Sequence, residues 1–316
     1  MWDPAKTVAV INPNAAGGRV GKQWADLSRE LRLRLGKIEL MLTERAGHAT
    51  ALARDAVRAG ATTILSMGGD GTHNEVVNGI MQAEPAPGVV RLGLLPAGTG
   101  GDFRRMCLNN ADALTAAAAL PHAKSTPIDV GSLSFRADDG TEAHRYFINV
   151  ASFGIGGVVD RFVNSSKKRL GGKATFYIAT LRALAAYQPA TVRLTLDGRD
   201  LGEHTITNIM VCNGRFAGGG MKFAPDARLS DGKFDVVIFQ HRSVLSTVAM
   251  SKSIYTGAHI NNPHVTVHSG AHIRAETTTD AVAYLDIDGE APGILPAEFN
   301  LHHHAIALLD VRPDVV

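Results

Sequence analysis

Residues 66–80, SMGGDGTHNEVVNGI, join an apolar run to an amphipathic one through two glycines, an aspartate, a glycine and a threonine. A chain that ends a buried strand on such residues and starts a helix at once has few folds open to it. The flanking sequence narrows the choice. KTVAVINP reads as a short buried strand, and RVGKQWADLSRELRLRL as a helix with Trp24, Leu27, Leu31 and Leu35 on one face. KIELMLTE is strand-like, HATALARDAVRAG is helix-like with a glycine stop, TTILSMGG is strand-like, THNEVVNGIMQ is helical, and VVRLGLLPAG is again a strand. Strands and helices alternating at this spacing predict right-handed βαβ units and a parallel, doubly wound α/β sheet.

From about Lys124 strand patterns follow one another instead: STPIDVGSLSF, RYFINVASF, TVRLTLDGRDL, TITNIMVCNG, KFDVVIFQ, HVTVHSGAHIRAE, VAYLDIDGE and NLHHHAIALLDV. Asp197-Gly198 after the alternating Val192, Leu194 and Leu196 predicts an antiparallel hairpin. Helices are expected near 173–187 and 243–256. The boundary is placed near 124, so 1–124 is an α/β domain and 125–296 a mostly antiparallel β-sandwich. A length of 316 residues also suits two domains better than one core. The net charge of +2 gives no reason to expect a nucleic-acid partner. Cys107 and Cys212, far apart, fit reduced thiols in a cytoplasmic protein. The N-terminus has no signal-peptide pattern, and the uncharged stretch 146–159 is too short and glycine-rich to cross a bilayer.

Gly68, Gly69 and Gly71 lie where backbone amides and a helix dipole favour an anion, and glycine lets a phosphate approach the main chain. The plainer reading is a tight turn with Thr72 and Glu75 as a capping box. The G-x-G-x-x-G dinucleotide fingerprint fails because Asn74 stands where the third glycine belongs, and GRVGKQ (18–23) has the wrong spacing for a Walker loop. LLPAGTGGDFRR (94–105) repeats the strand-glycine-aspartate design. In a doubly wound sheet both loops reach one crevice at the strand ends. Thr72 and Thr99 offer hydroxyls there, and Asp70 and Asp102 can hold magnesium directly or through water.

With GGDGT and PAGTGGDF both in view, the chain resembles the diacylglycerol kinase and sphingosine kinase catalytic-domain family, especially its soluble bacterial lipid kinases. INPNAAGG, GGDGTHNEVVNG, LLPAGTGGDF, INVASFGIGG, VCNGRFAGGGMKFAPDARLSDGKFDV and LDIDGE carry the resemblance over nearly the whole chain. It implies an ATP- and magnesium-dependent lipid kinase acting at the cytoplasmic face of a membrane, with diacylglycerol (giving phosphatidic acid) or a related lipid as acceptor. The nucleotide contacts it implies are Gly68, Gly69, Asp70, Gly71 and Thr72, with Asn12, Thr43, Asn74, Thr99 and Asp102 nearby. Asp288 corresponds to the general base, Glu290 lies toward ATP and its magnesium, and Asp70 completes the catalytic group. Asp231 and the carbonyls of Arg228 and Lys233 hold a structural magnesium. The tail from about 297 to 316 returns to the first domain, a cleft lies between the domains, and a homodimer is an open assembly. The family commonly has Asn before the aspartate of the second loop; this chain has Gly101.

Other features carry two readings each. Asp288-Gly289 and Asp231-Gly232 are also ordinary solvated turns. Lys167, Lys168, Arg169 and Lys173 form either a solvated loop or an attraction to anionic headgroups. His302, His303 and His304 in a strand alternate faces, so a shared ion needs a distorted backbone, and a structural or exposed run is expected. Gly218–Gly220 is read as letting a backbone segment pass close to the cleft. An NAD kinase shares GGDGT, and a non-catalytic nucleotide- or lipid-binding protein could keep the fold; GTGGDF, DIDGE and the set of four aspartates argue against both.

Overall fold

In the computed structural model, which describes residues 2–97, 101–107, 111–165, 182–183 and 186–311, the apolar run Thr7–Ile11 forms β1, buried along its whole length. It pairs in parallel with β2 (Glu39–Leu42) and β3 (Thr63–Gly68), and β3 pairs in parallel with β4 (Arg91–Pro96). Between these strands lie α1 (Ala15–Lys22), α2 (Trp24–Leu35), α3 (His48–Arg58) and α4 (Asp70–Gln82), followed by α5 (Arg104–Cys107), α6 (Ala113–Ala119) and β5 (Lys124–Ala137). Strands covered on both faces read as continuous apolar runs, which is why VAVI and TILSM show no polar alternation. Ala9, Ile11, Leu65, Met67 and Leu95 pack with Leu31 and Leu35 of α2 and Ala116 and Ala117 of α6. On the other side α3 crosses α4 closely. A Cβ on Gly79 would sit 2.3 Å from the Thr50 carbonyl oxygen, so only glycine fits that crossing.

The expected single helix over 19–35 is broken at Gln23, and Ala16, Gly17 and Gly18 ahead of it are left-handed (φ 54, 68 and 82). The start of α1 is therefore a tight turn rather than a regular helical end.

The second half of the chain is strand-rich: β6 (Glu142–Phe147), β7 (Val150–Gly154), α7 (Ile155–Ser165), β8 (Thr191–Leu196), β9 (Arg199–Cys212), the short β10 (Phe216–Ala217) and β11 (Met221–Lys222), β12 (Phe234–Gln240), α8 (Val244–Thr256), β13 (Val265–Gly270), β14 (His272–Thr277), β15 (Leu285–Ile287) and β16 (Gly293–Asp310). Apart from the end of β16, the pairings described for these strands are antiparallel. The 14-residue β9 gives its first half to β8 and its second to β7 and β12, linking two layers. Asp197 (φ 49) and Gly198 (φ 80) make the β8–β9 turn expected of a D-G pair. Between the layers Phe147 stacks on Phe234 at 5.5 Å and Phe153 on Phe299 at 5.9 Å. Gly218–Gly220, all at positive φ, forms the turn between β10 and β11.

One compact unit takes the chain to Val130, Leu229–Asp231 and the chain from His302; the other takes Gly131–Arg228 and Gly232–Leu301. Both limits fall inside strands, β5 and β16. The last residues of β16 run parallel to β4, with Ala307 opposite Arg91 and Leu308 opposite Leu92. Along β16, His304 is left-handed (φ 52), so the three histidines do not alternate as a regular strand would impose. The basic residues Lys167–Arg169 and Lys173, and most of the helix expected at 173–187, lie outside the described residues.

The buried face of α4 carries His73, which is 2% exposed and within 2.7 Å of the Ser66 hydroxyl through Nδ1. Burial, with a smaller contribution from the Arg104 charge, lowers its pKa to about 4. The unfolded chain binds this proton first, so His73 costs stability as pH falls below its ordinary value of 6.5. The stability lost between roughly pH 7.5 and pH 5 in urea unfolding is predicted to be about 2 kcal/mol smaller in His73→Gln; equal losses would place the acid sensitivity elsewhere.

Candidate active site

Four strands of the parallel sheet end at one place. Asn12, Thr43, Gly69 and Ala97 each follow the last residue of β1, β2, β3 and β4, and all four line one cleft of about 550 Å³. Asp70, Gly71 and Thr72 line it from the start of α4, with Ala16 and Gly17 from the left-handed turn and Arg45 after β2. The volume falls within the range of ligand sites.

The walls are held by short polar links. Asn12 donates from Nδ2 to the Thr72 hydroxyl at 3.1 Å, while its Oδ1 accepts from the Asn14 amide at 2.9 Å. The Thr43 amide donates to the Ile11 carbonyl at 2.8 Å. Gly69 is the N-cap of α4, and the amides of Asp70, Gly71 and Thr72 occupy its first turn, where no helical carbonyl precedes them. A Cβ at Gly69 or Gly71 would meet nothing within 4 Å, so these glycines leave the amides open to an approaching group. The expected capping box is absent. Thr72 lies inside the helix, and Glu75 instead accepts from the Gly47 amide at 2.9 Å and the Ala49 amide at 3.1 Å, capping α3.

Asp70 is the charged centre of this cleft. Its Oδ2 accepts from the Asp102 amide at 3.1 Å, and burial raises its pKa against the opposing amide bonds and the Arg104 charge. Its Oδ1 is buried and has no hydrogen-bond partner among the described residues. An oxygen donor left in that condition fits a hard divalent cation, which favours carboxylate ligands and would return the group to its charged form. Asp102 itself is buried and ion-paired with Arg105 at 3.4 Å, so it reaches the cleft through its amide.

Not every expected nucleotide residue faces this space. Asn74 is buried in α4, its Oδ1 accepting from Asn78 Nδ2 at 3.0 Å. Gly68 lies within β3, under Thr72. Thr99 lies outside the described residues. Arg45 and the Ala16–Gly17 turn line the cleft without having been singled out in the sequence, as does Glu75, read there only as a cap; NAAGG after the first strand was the signal for the turn.

Asp288 and Glu290 belong to the second unit. Asp288 opens the two-residue D-G turn bridged by Ile287 and Glu290, and it is half-buried rather than freely solvated. It is left-handed (φ 47), and its two carboxylate oxygens accept from the amides of Val150 at 2.9 Å and Ile148 at 3.3 Å. Asp286 supports the turn, accepting from the Gly289 amide at 2.9 Å and the Ser152 hydroxyl at 3.2 Å. Glu290 is exposed and pairs with Arg145 at 3.6 Å. Arg228, Asp231 and Lys233 are exposed on the turn before β12, which bends at Gly232 (φ 75).

A family model described as the diacylglycerol kinase catalytic domain matches residues 6–133, and one described as the YegS C-terminal NAD kinase beta sandwich-like domain matches 149–310. The chain is 33% identical over 261 residues to the diacylglycerol kinase of Bacillus subtilis (strain 168), covering 82% of this chain and 81% of that protein. The chain belongs to the diacylglycerol kinase family. It is also 29% identical to a diacylglycerol kinase of Staphylococcus aureus (strain RF122), over 93% of this chain and 89% of that protein. A crystal structure from Bacillus anthracis str. Sterne superposes with a TM-score of 0.80 at 23% identity, covering 100% of this chain and 98% of its own. The fold is thus the α/β domain plus β-sandwich of the diacylglycerol kinases.

Gly101, where the family commonly has Asn, has a structural reason in this member. It sits at φ 134, and a Cβ there would lie 2.5 Å from Arg104 Cδ and 2.6 Å from Nε. Arg104 fills the space that a side chain at 101 would need. Gly101→Ala is predicted to destabilise the protein by about 1–3 kcal/mol in urea unfolding, through overpacking and backbone strain. Adding Arg104→Ala should recover part of that loss; strict additivity of the two changes would show that they do not share the space.

Proposed function

We propose that this member of the diacylglycerol kinase family transfers the γ-phosphate of ATP to a lipid hydroxyl, with diacylglycerol, giving phosphatidic acid, as the first candidate acceptor. The observation that carries the reading is the convergence of four strand ends and the first amides of α4 on one cleft, with Asp70 at its centre. Amides at a helix start suit phosphate oxygens, and phosphoryl transfer depends mainly on positioning and neutralised charge. Magnesium, when bound at Asp70, supplies the rest of that neutralisation. Asn12 and Thr72 fix the floor of the site through their shared hydrogen bond, and Thr43 holds its place beside them through the Ile11 carbonyl.

Asp288 is assigned as the general base. Two amides hold its carboxylate in one orientation, within a D-G turn that fixes the backbone around it. In that role it accepts the proton of the attacking lipid hydroxyl at a carboxylate oxygen. Glu290, in the same turn, is assigned to the nucleotide and its magnesium, and Asp231 with the carbonyls of Arg228 and Lys233 to a bracing magnesium, as the family resemblance implies. The acceptor resides in a bilayer, so the protein must work at a membrane surface. Among the described residues no helix is long and apolar enough to cross one. The first turns of α8 expose Val244, Leu245 and Val248 together, which suits contact with lipid.

The test is transfer of labelled γ-phosphate from ATP and Mg²⁺ to a panel of lipids in mixed micelles, with NAD as a competing acceptor. Label in diacylglycerol is expected, falling roughly 10²–10⁴-fold in Asp288→Asn while ATP still binds. Label in another lipid would move the acceptor, label in NAD would move the acceptor class, and ATP binding without turnover in the unaltered protein would refute the kinase reading.

A further inference from the structure

The histidine run in β16 does what a regular strand cannot. Because His304 is left-handed (φ 52), His303 and His304 turn to the same side and their rings stack with centroids 3.6 Å apart. They meet Asp129, in β5, which is fully buried. Asp129 Oδ1 lies 2.8 Å from His303 Nδ1 and accepts from the His304 amide at 2.8 Å. His304 Nε2 lies 3.3 Å from the Ser230 carbonyl, and the Asp129 amide donates to the Leu229 carbonyl at 2.6 Å. One ligand atom from each of Asp129, His303 and His304 lies within 4.8 Å of the others. All three belong to the first unit, so the cluster is internal to it.

We propose that Asp129, His303 and His304 form a binding site for a divalent transition metal of the Zn²⁺ class. Two imidazoles and a carboxylate are the donor set such ions prefer, with bonds of about 2.0–2.2 Å, whereas Mg²⁺ takes oxygen donors. Those bond lengths put tetrahedral ligands roughly 3.4 Å apart, so the three atoms need to adjust by side-chain rotation alone. The two rings must tilt from the 26° between their planes; the His303 side chain, 52% exposed, has room to turn, and water can complete the coordination. Left-handed backbone at a residue bearing a Cβ persists where the surroundings impose it, and here it gathers both imidazoles beside one buried carboxylate, with His303 Nδ1 against it and a ligand atom of His304 within 4.8 Å. The ion would tie β5, β16 and the 229–231 segment together. Its place is a brace within the first unit, apart from the cleft at the strand ends and made of donors different from those at Asp231.

Zn²⁺ binding to the full-length, chelator-stripped protein tests this by calorimetry, with excess Mg²⁺ present to fill oxygen-only sites. One equivalent is expected to bind and to raise the melting temperature, as any ligand selective for the folded state does. In the double variant His303→Asn/His304→Asn, and in Asp129→Asn, affinity should fall by more than the roughly 10–100-fold that loss of an outer-sphere partner costs. Equal titrations in the unaltered and double-variant proteins, or no binding at all, would overturn the proposal. Should the variants fail to melt cooperatively, Co²⁺ loading of the unaltered protein decides it. Paramagnetically shifted ring signals from two histidines are expected, and unshifted histidine spectra would refute the site.

Discussion

The sharp passage from β3 into α4 depends on one absent atom. A Cβ at Gly68 would lie 2.4 Å from the Thr72 hydroxyl, so any side chain there would push α4 off the end of the strand. With glycine in place, Thr72 comes close enough to accept from Asn12, which fastens the ends of β1 and β3 to each other. Asp70 then stands at the first position of the helix, beside the loop after β4, and takes the Asp102 amide. The cleft exists because these contacts are compatible only with strands that end together.

Burial sets the electrostatics of the same helix turn. Asp70 and His73 lie three residues apart; burial raises the first carboxyl and lowers the second imidazole, so each is pushed toward its neutral form. Arg104 acts on both, lowering each pKa. Its side chain lies where Gly101 leaves space, so the glycine and a positive charge near Asp70 go together. A cation at Asp70 would meet both a buried oxygen without a partner and this neighbouring charge, and the balance between them sets how the site holds metal and phosphate.

The architecture was readable because parallel and antiparallel strands leave different patterns. VAVI is apolar throughout and TILSM is buried without alternation, while Val192, Leu194 and Leu196 alternate. The glycine loops after the third and fourth strands could be placed at one site because topology fixes where strand ends lie, whereas Asn12 and Thr43 were placed there by the family resemblance. What escaped were relations between distant residues and single backbone inversions. The hold of the 148 and 150 amides on Asp288 spans 140 and 138 residues and leaves no local pattern. Glu75 has the spacing of a cap for its own helix yet caps α3, since packing of the two helices brings a closer donor pair. Asn74 stands in the glycine motif but at a helical position that faces inward. The left-handed His304 overrides strand alternation, and no residue preference announces it.

In the proposed kinase, nucleotide phosphates sit on the strand-end amides of the first unit. Hydrogen exchange read amide by amide, with and without ATP and Mg²⁺, tests it most directly. The account predicts slowed exchange at Asn14–Gly18 and at Asp70–Thr72, whose amides line or adjoin the cleft. Unchanged exchange in both stretches under saturating ATP, with protection elsewhere, would contradict it.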